Sequence, residues 1–194
     1  MKLDSNEELY FSWWCEELEK AGYINSFNNA KTYQLGEKIV NTYTEQLKTK
    51  TKEKEQIILS DCEYTPDFEI NWNFDAVNIF FDIFPCLNKS KINTDLLLAK
   101  VIEENETKKF ESIIEIKPNF DQNNMTRLNT INRKWMYQKY GIFVNLVKVP
   151  DIFKDTFTPK KFLLTDSGKQ NRIIHFNTRT LEEYVKLKIP KIDV

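Results

Sequence analysis

The sequence predicts an α/β (α+β) fold, a mixed central β-sheet flanked by helices. Three observations predict it. A capped amphipathic helix opens the chain at Ser5–Gly22, aromatic and β-branched runs recur from Ile57 to Lys117, and a strand–helix–strand unit spans Phe110–Val149. That unit implies a parallel pair joined by a right-handed crossover, and the strands before it add antiparallel neighbours. With 194 residues, 41% hydrophobic and 13% aromatic, the chain holds enough apolar material for one packed domain, 1–194.

In the first helix, Ser5 and Glu8 have the spacing of a capping box, and Gly22 stands where a C-terminal cap belongs. Phe11, Trp14 and Leu18 repeat at helical spacing, with Glu16, Glu19 and Lys20 off that stripe. Tyr23–Asn29 reads as a turn region and Ala30–Glu45 as a loop with some helix. The mixed-charge run Lys48–Glu55 reads as an exposed turn or hairpin tip, with contact to phosphate as the other reading. Strand character follows in Ile57–Ser60, Tyr64–Trp72 and Val77–Phe84, and Asn88–Asn93 breaks it.

Leu96–Glu104 fits a short helix or a strand. Phe110–Lys117 reads as a strand that ends at Pro118, which has no N–H for a ladder. Asn123–Tyr140 is the second expected helix, with Met125, Leu128, Ile131, Trp135 and Met136 on one side and Gly141 at its end. Ile142–Val149 is a buried strand stopped by Pro150. The tail offers strands at Lys161–Leu164 and Arg172–Phe176, then a helix from Leu181 with Thr180 and Glu183 as its capping pair.

Composition excludes several classes. Lys plus Arg number 28 against 29 Asp plus Glu, so the chain does not hold nucleic acid by bulk charge, and any grip must be local. Cys15, Cys62 and Cys86 are widely spaced and form no C-x-x-C pair, and His175 is the single histidine. A zinc site or a histidine-based triad does not fit; reduced thiols in a cytoplasmic protein do. No apolar run reaches the length of a membrane span, so no membrane partner is expected.

Two short stretches carry potential chemistry. In Tyr64-Thr65-Pro66-Asp67-Phe68 an aspartate interrupts a hydrophobic run. In Ile113-Ile114-Glu115-Ile116-Lys117 the Glu115 and Lys117 side chains share one strand face. If Asp67 comes from a neighbouring strand at the same height, two carboxylates converge and suit Mg²⁺ or Mn²⁺, which prefer oxygen ligands and retain water. Other readings stay open: Asp67 as a turn residue after proline, Glu115 and Lys117 as an ion pair on a solvated face, Glu8 as a cap only. On the second helix Arg127, Lys134 and Gln138 line one edge, fit either for a DNA phosphate or for plain solvation.

These motifs, Pro66-Asp67 followed by Glu115-Ile116-Lys117, a helix and the strand Ile142–Val149, resemble the PD-(D/E)XK nuclease superfamily. The opening Ser5-Asn6-Glu7-Glu8 helix is similar to the acidic helix of many members, TnsA-type transposon endonucleases and phage nucleases among them. The resemblance covers Ser5–Val149 and implies a restriction-endonuclease-like core with an insertion at about 73–109 and a C-terminal extension, 150–194. It implies Asp67 and Glu115 as metal ligands, with the Ile116 carbonyl completing the shell. Lys117 is implied to orient or deprotonate the attacking water, and the acidic helix to add a carboxylate. Glu8 is the choice there on its S-x-x-E spacing, although Glu7 shares the stripe of Phe11 and Trp14.

The expected function is therefore a Mg²⁺- or Mn²⁺-dependent DNA endonuclease or exonuclease using metal-activated water, with DNA and a protein partner or second copy as partners. Phage or mobile-element biology in a bacterial cell fits that resemblance. The competing expectation is a catalytically inactive nuclease-fold module for DNA binding or assembly, and RNA is the alternative substrate.

Overall fold

The computed structural model describes residues 3–85, 96–104, 107–117, 125–165, 168 and 170–189. In chain order the elements are α1 (Asn6–Lys20), β1 (Ile24–Asn29), β2 (Tyr33–Gly36), β3 (Ile39–Gln46), β4 (Thr51–Leu59), β5 (Cys62–Tyr64) and β6 (Phe68–Trp72). Next come a 3-10 turn (Phe74–Ala76), β7 (Phe81–Phe84), β8 (Leu97–Glu104), β9 (Thr107–Ile116), α2 (Met125–Tyr140) and β10 (Val144–Val147). The chain closes with α3 (Val149–Asp155), a 3-10 turn (Lys160–Leu163) and α4 (Leu181–Lys188). This is a mixed α+β architecture whose main sheet is flanked by helices.

The main sheet has six strands in the order β1-β6-β9-β8-β7, with β10 also paired to β9. β6 and β8 run antiparallel to β9, and β10 runs parallel to it. On one edge β9 meets two partners in succession: residues 107–111 pair with β8 and residues 113–116 with β10. The Asn145 amide joins them. It accepts from Leu98 N (2.8 Å) and donates to the carbonyls of Leu98 (2.9 Å) and Ile113 (3.1 Å), completing a ladder that two strand ends cannot complete alone.

Alternation along β9 builds two cores. Phe110, Ile114 and Ile116 face a large aromatic core with Phe11, Trp14 and Leu18 of α1, Phe68 and Trp72 of β6, and Phe153 and Tyr184 of the C-terminal helices. Ile113 faces the other side, against Tyr33, Leu35, Tyr64, Met136 and Val144. The described residues after Val149 are thus part of the main core: Phe153 and Phe157 are fully buried, and the Tyr184 hydroxyl donates to Ile79 O at 2.8 Å. The stretch 73–109 supplies β7 and β8 to the same sheet.

α1 forms with Ser5 as its N-cap, and Gly22 takes φ +82° after its end. Tyr64–Trp72 is two strands rather than one, broken around Pro66. Leu96–Glu104 is a strand, and α4 carries the expected capping box. Other expectations are corrected. Tyr23–Asn29 is strand β1, and Ala30–Glu45 holds β2 and most of β3; these polar runs are recruited by pairing with β6, β5 and β4. Pro150 starts α3 instead of merely stopping a strand, since the first turn of a helix has no use for its missing N–H. Lys161–Leu164 is mostly 3-10 helix, and Arg172–Phe176 forms no ladder; the one bridge nearby joins Leu164 and Asn171.

The apolar stripe expected on α2 is also corrected. Met136 is buried, yet Leu128, Ile131 and Trp135 are exposed, at 53%, 38% and 41%. Polar anchors turn the helix. Asn129 bonds Glu115, Arg133 Nε donates to Val144 O (2.9 Å), and the Tyr140 hydroxyl donates to Gln34 O (2.7 Å). The Met125 side chain, Cys86, Asn88–Asn93, Pro118 and the residues at 123–124 lie outside the described residues.

Candidate functional site

β6 and β9 bring Asp67 and Glu115 to the same sheet face. Phe68 pairs with Ile114, and Asp67 N donates to Ile114 O at 3.0 Å just before β6 begins. Asp67 Oδ2 then accepts from Ile116 N at 2.6 Å, which fixes the carboxyl group against the backbone at the end of β9. The Ile116 side chain itself is buried in the main core, so only its backbone belongs to the site.

Glu115 is held by three donors. Lys117 Nζ (2.8 Å) and Asn129 Nδ2 (2.9 Å) reach Oε1, and the Tyr64 hydroxyl reaches Oε2 at 2.9 Å. Its side chain is 12% exposed and that of Lys117 24%, so this ion pair is shielded rather than solvated. A charge pair in such a place is costly unless its hydrogen bonds are satisfied, and here the carboxylate's are. Asn129 is the exception in the cluster: its Oδ1 is buried without a donor.

Burial pushes the Asp67 carboxyl up to about 7, against the lowering effect of the Ile116 N–H; the negative charges of Glu115 and Glu8 push the same way, and Lys117 opposes them. The same burial and the Glu115 charge drive the Tyr64 phenol well above its ordinary range, which keeps it a donor. Negative charge is thus concentrated around Asp67 beyond what Lys117 offsets. Asp67 Oδ1 and Asn129 Oδ1 have no donor among the described residues, but Asn129 Oδ1 is buried and Glu115 already accepts from Tyr64, Lys117 and Asn129, so a divalent cation reaching Glu115 would have to share its oxygens with those donors. Among the described residues no group of three or more His, Cys, Asp or Glu side chains is arranged to hold a metal ion, so such a cation would rest on two carboxylates.

Glu8 stands at the N-terminus of α1 as a cap. Its oxygens accept from Asp4 N and the Ser5 hydroxyl, both at 2.9 Å, and it reaches Asp67 through its charge. Glu7 is half-buried on the same turn. Arg127, Lys134 and Gln138 are all exposed on α2, the helix that sends Asn129 to Glu115.

Sequence reasoning missed Tyr64, Asn129 and Arg133. Tyr64 sits in the quoted stretch three residues before Asp67, so its place was visible although its role was not. Asn129 and Arg133 carry only a weak signal, polar residues four apart on a helix next to the acidic strand. A second acid pair was also missed. Glu69 and Glu111 are diagonal neighbours on this face, and burial with the Glu69 charge raises the Glu111 carboxyl despite Lys31 and Lys100.

No protein family, curated protein or solved structure matches the chain. No described helix is long and apolar enough to cross a membrane.

Proposed function

We propose that this chain is a Mg²⁺- or Mn²⁺-dependent DNA nuclease of the PD-(D/E)XK type, built on a restriction-endonuclease-like core. One observation carries the reading: at the shared end of β6 and β9, Ile116 N donates to Asp67 and Lys117 Nζ donates to Glu115, the two carboxylates standing on one sheet face. Asp67 and Glu115 would hold the cation, beside the Ile116 backbone. When bound, such an ion lowers the pKa of its water and neutralises charge on the phosphoryl group. Tyr64 and Asn129 hold Glu115 in one orientation, so the carboxylate needs little rearrangement. Lys117, held beside Glu115 by their ion pair, would orient the attacking water and face the scissile phosphate. Glu8 supplies negative charge from α1, and Arg127, Lys134 and Gln138 offer an edge to the DNA backbone.

The test is metal-dependent nicking of supercoiled plasmid. Wild type is expected to nick with Mg²⁺ or Mn²⁺ and not in EDTA, and Lys117→Ala to lower the rate on the order of 10²–10³-fold. Equal nicking by both proteins, or none by either, overturns the assignment. A companion measurement needs no turnover: Mn²⁺ is expected to raise the Tm of wild type and to leave Asp67→Asn unmoved.

A further inference from the structure

Beside α2 lies a pocket of about 480 Å³, within the size range of small-molecule sites. Phe84 of β7, Tyr137 of α2 and Phe143 before β10 form its aromatic walls, with ring centroids 5.8 Å apart for Phe84–Tyr137 and 5.2 Å for Phe84–Phe143. Arg133, Lys134 and Gln138 supply its polar atoms, and no carboxylate stands among the lining residues. The Arg133 guanidinium lies over the Phe143 ring, 5.2 Å from the centroid. Tyr137 is half-exposed.

We propose that this pocket takes one unstacked nucleobase of a DNA strand, with Lys134 and Gln138 on the adjoining phosphate and sugar; this rests on the DNA reading above. Flat aromatic walls offer stacking to any base, and the exposed Lys134 at the pocket's edge suits a ligand that carries phosphate. Position agrees with chemistry. Asn129, which grips Glu115, and Arg133 and Tyr137, which line the pocket, follow at successive helical turns. Along α2, Arg133 stands about 6 Å and Tyr137 about 12 Å from the residue that touches the carboxylate site. A nucleotide near the one at Glu115 falls within that reach.

The experiment is fluorescence anisotropy with a labelled single-stranded tetradeoxynucleotide, in EDTA so that no cleavage intervenes. An abasic sugar-phosphate tetramer is the control. The expected result is that Tyr137→Ala weakens binding of the base-bearing strand about 5- to 150-fold, the range of one base–aromatic stack, while Tyr137→Phe retains it. The abasic tetramer is expected to bind weakly to both proteins. Lys134→Ala is expected to lower the salt dependence by about one unit of slope. Equal affinity for both tetramers, indifference to Tyr137→Ala, or no binding at all overturns the proposal; the last is also what a pocket for a partner's apolar side chain would give. Plasmid nicking separates the two readings. Nicking with Tyr137-independent binding sinks the pocket alone, and Tyr137-dependent binding without nicking sinks the nuclease alone.

Discussion

Asp67 carries a carboxyl group whose charge is opposed by its burial. Its carboxyl is raised from 3.8 to about 7 in the folded protein, so between those values the native state binds more protons than the unfolded chain. Stability then falls as pH rises from about 4 to about 7 and levels off above, the reverse of a salt-bridged aspartate. In EDTA, Asp67→Asn is expected to stabilise the protein at pH 8 on the order of 2 kcal/mol, after discounting for partial solvent exposure, and not at pH 3.5. The amide oxygen can still accept from Ile116 N. Thermal melts at the two pH values check this, and an unchanged or lowered Tm at pH 8 contradicts it. Tyr64→Phe is expected to cost about 1–3 kcal/mol by stripping a donor from a shielded carboxylate, and to slow nicking with it. That Glu115 and Lys117 share one face was legible in the sequence through period-2 alternation, whereas the place of Asp67 opposite Glu115 depends on how β6 pairs with β9. Tyr64 and Asn129 were not legible, because which donors reach Glu115 depends on where β5 and α2 pack.

At the scale of elements, ends were easier to read than faces. Ser5, Gly22, Thr180 and Gly141 mark helix termini by chemistry local to a few residues, and the structure ends its helices beside them. The face α2 buries was misread because three polar anchors outweigh a stripe of three apolar residues. β1, β2 and β3 were missed because strand formation there comes from partners far along the chain. β3 and β4 pair only with each other, and Ile57, Ile58 and Leu59 stay 58–60% exposed. A two-stranded ribbon with little burial opens readily. Trypsin is therefore expected to cut first around Lys48 and Lys50, before any site in β8 or β9, with the nicked protein keeping its far-UV spectrum; early cleavage after Lys100 or Lys109 contradicts this.

At the scale of the whole molecule, the last residues support the first. Tyr184 of α4 is fully buried in the core shared with α1, and Trp14 Nε1 donates to the Thr156 hydroxyl at 3.0 Å. Tyr184→Ala is expected to cost about 3–5 kcal/mol, the range for a large buried aromatic, and denaturant melts measure it. A cost below 1 kcal/mol marks the C-terminal segment as an accessory. The mixed sheet and its parallel pair were legible from the order of elements; the joining of tail and head was not, since nothing in residues 150–189 names a distant partner. β9 bears the acidic groups and gains its last neighbour, β10, only at Val144–Val147. During synthesis, a nascent chain that has not yet emerged from the ribosome through Val147 cannot complete this strand's surroundings. A fragment cut short before Val144 therefore carries Glu115 on an unfinished strand edge.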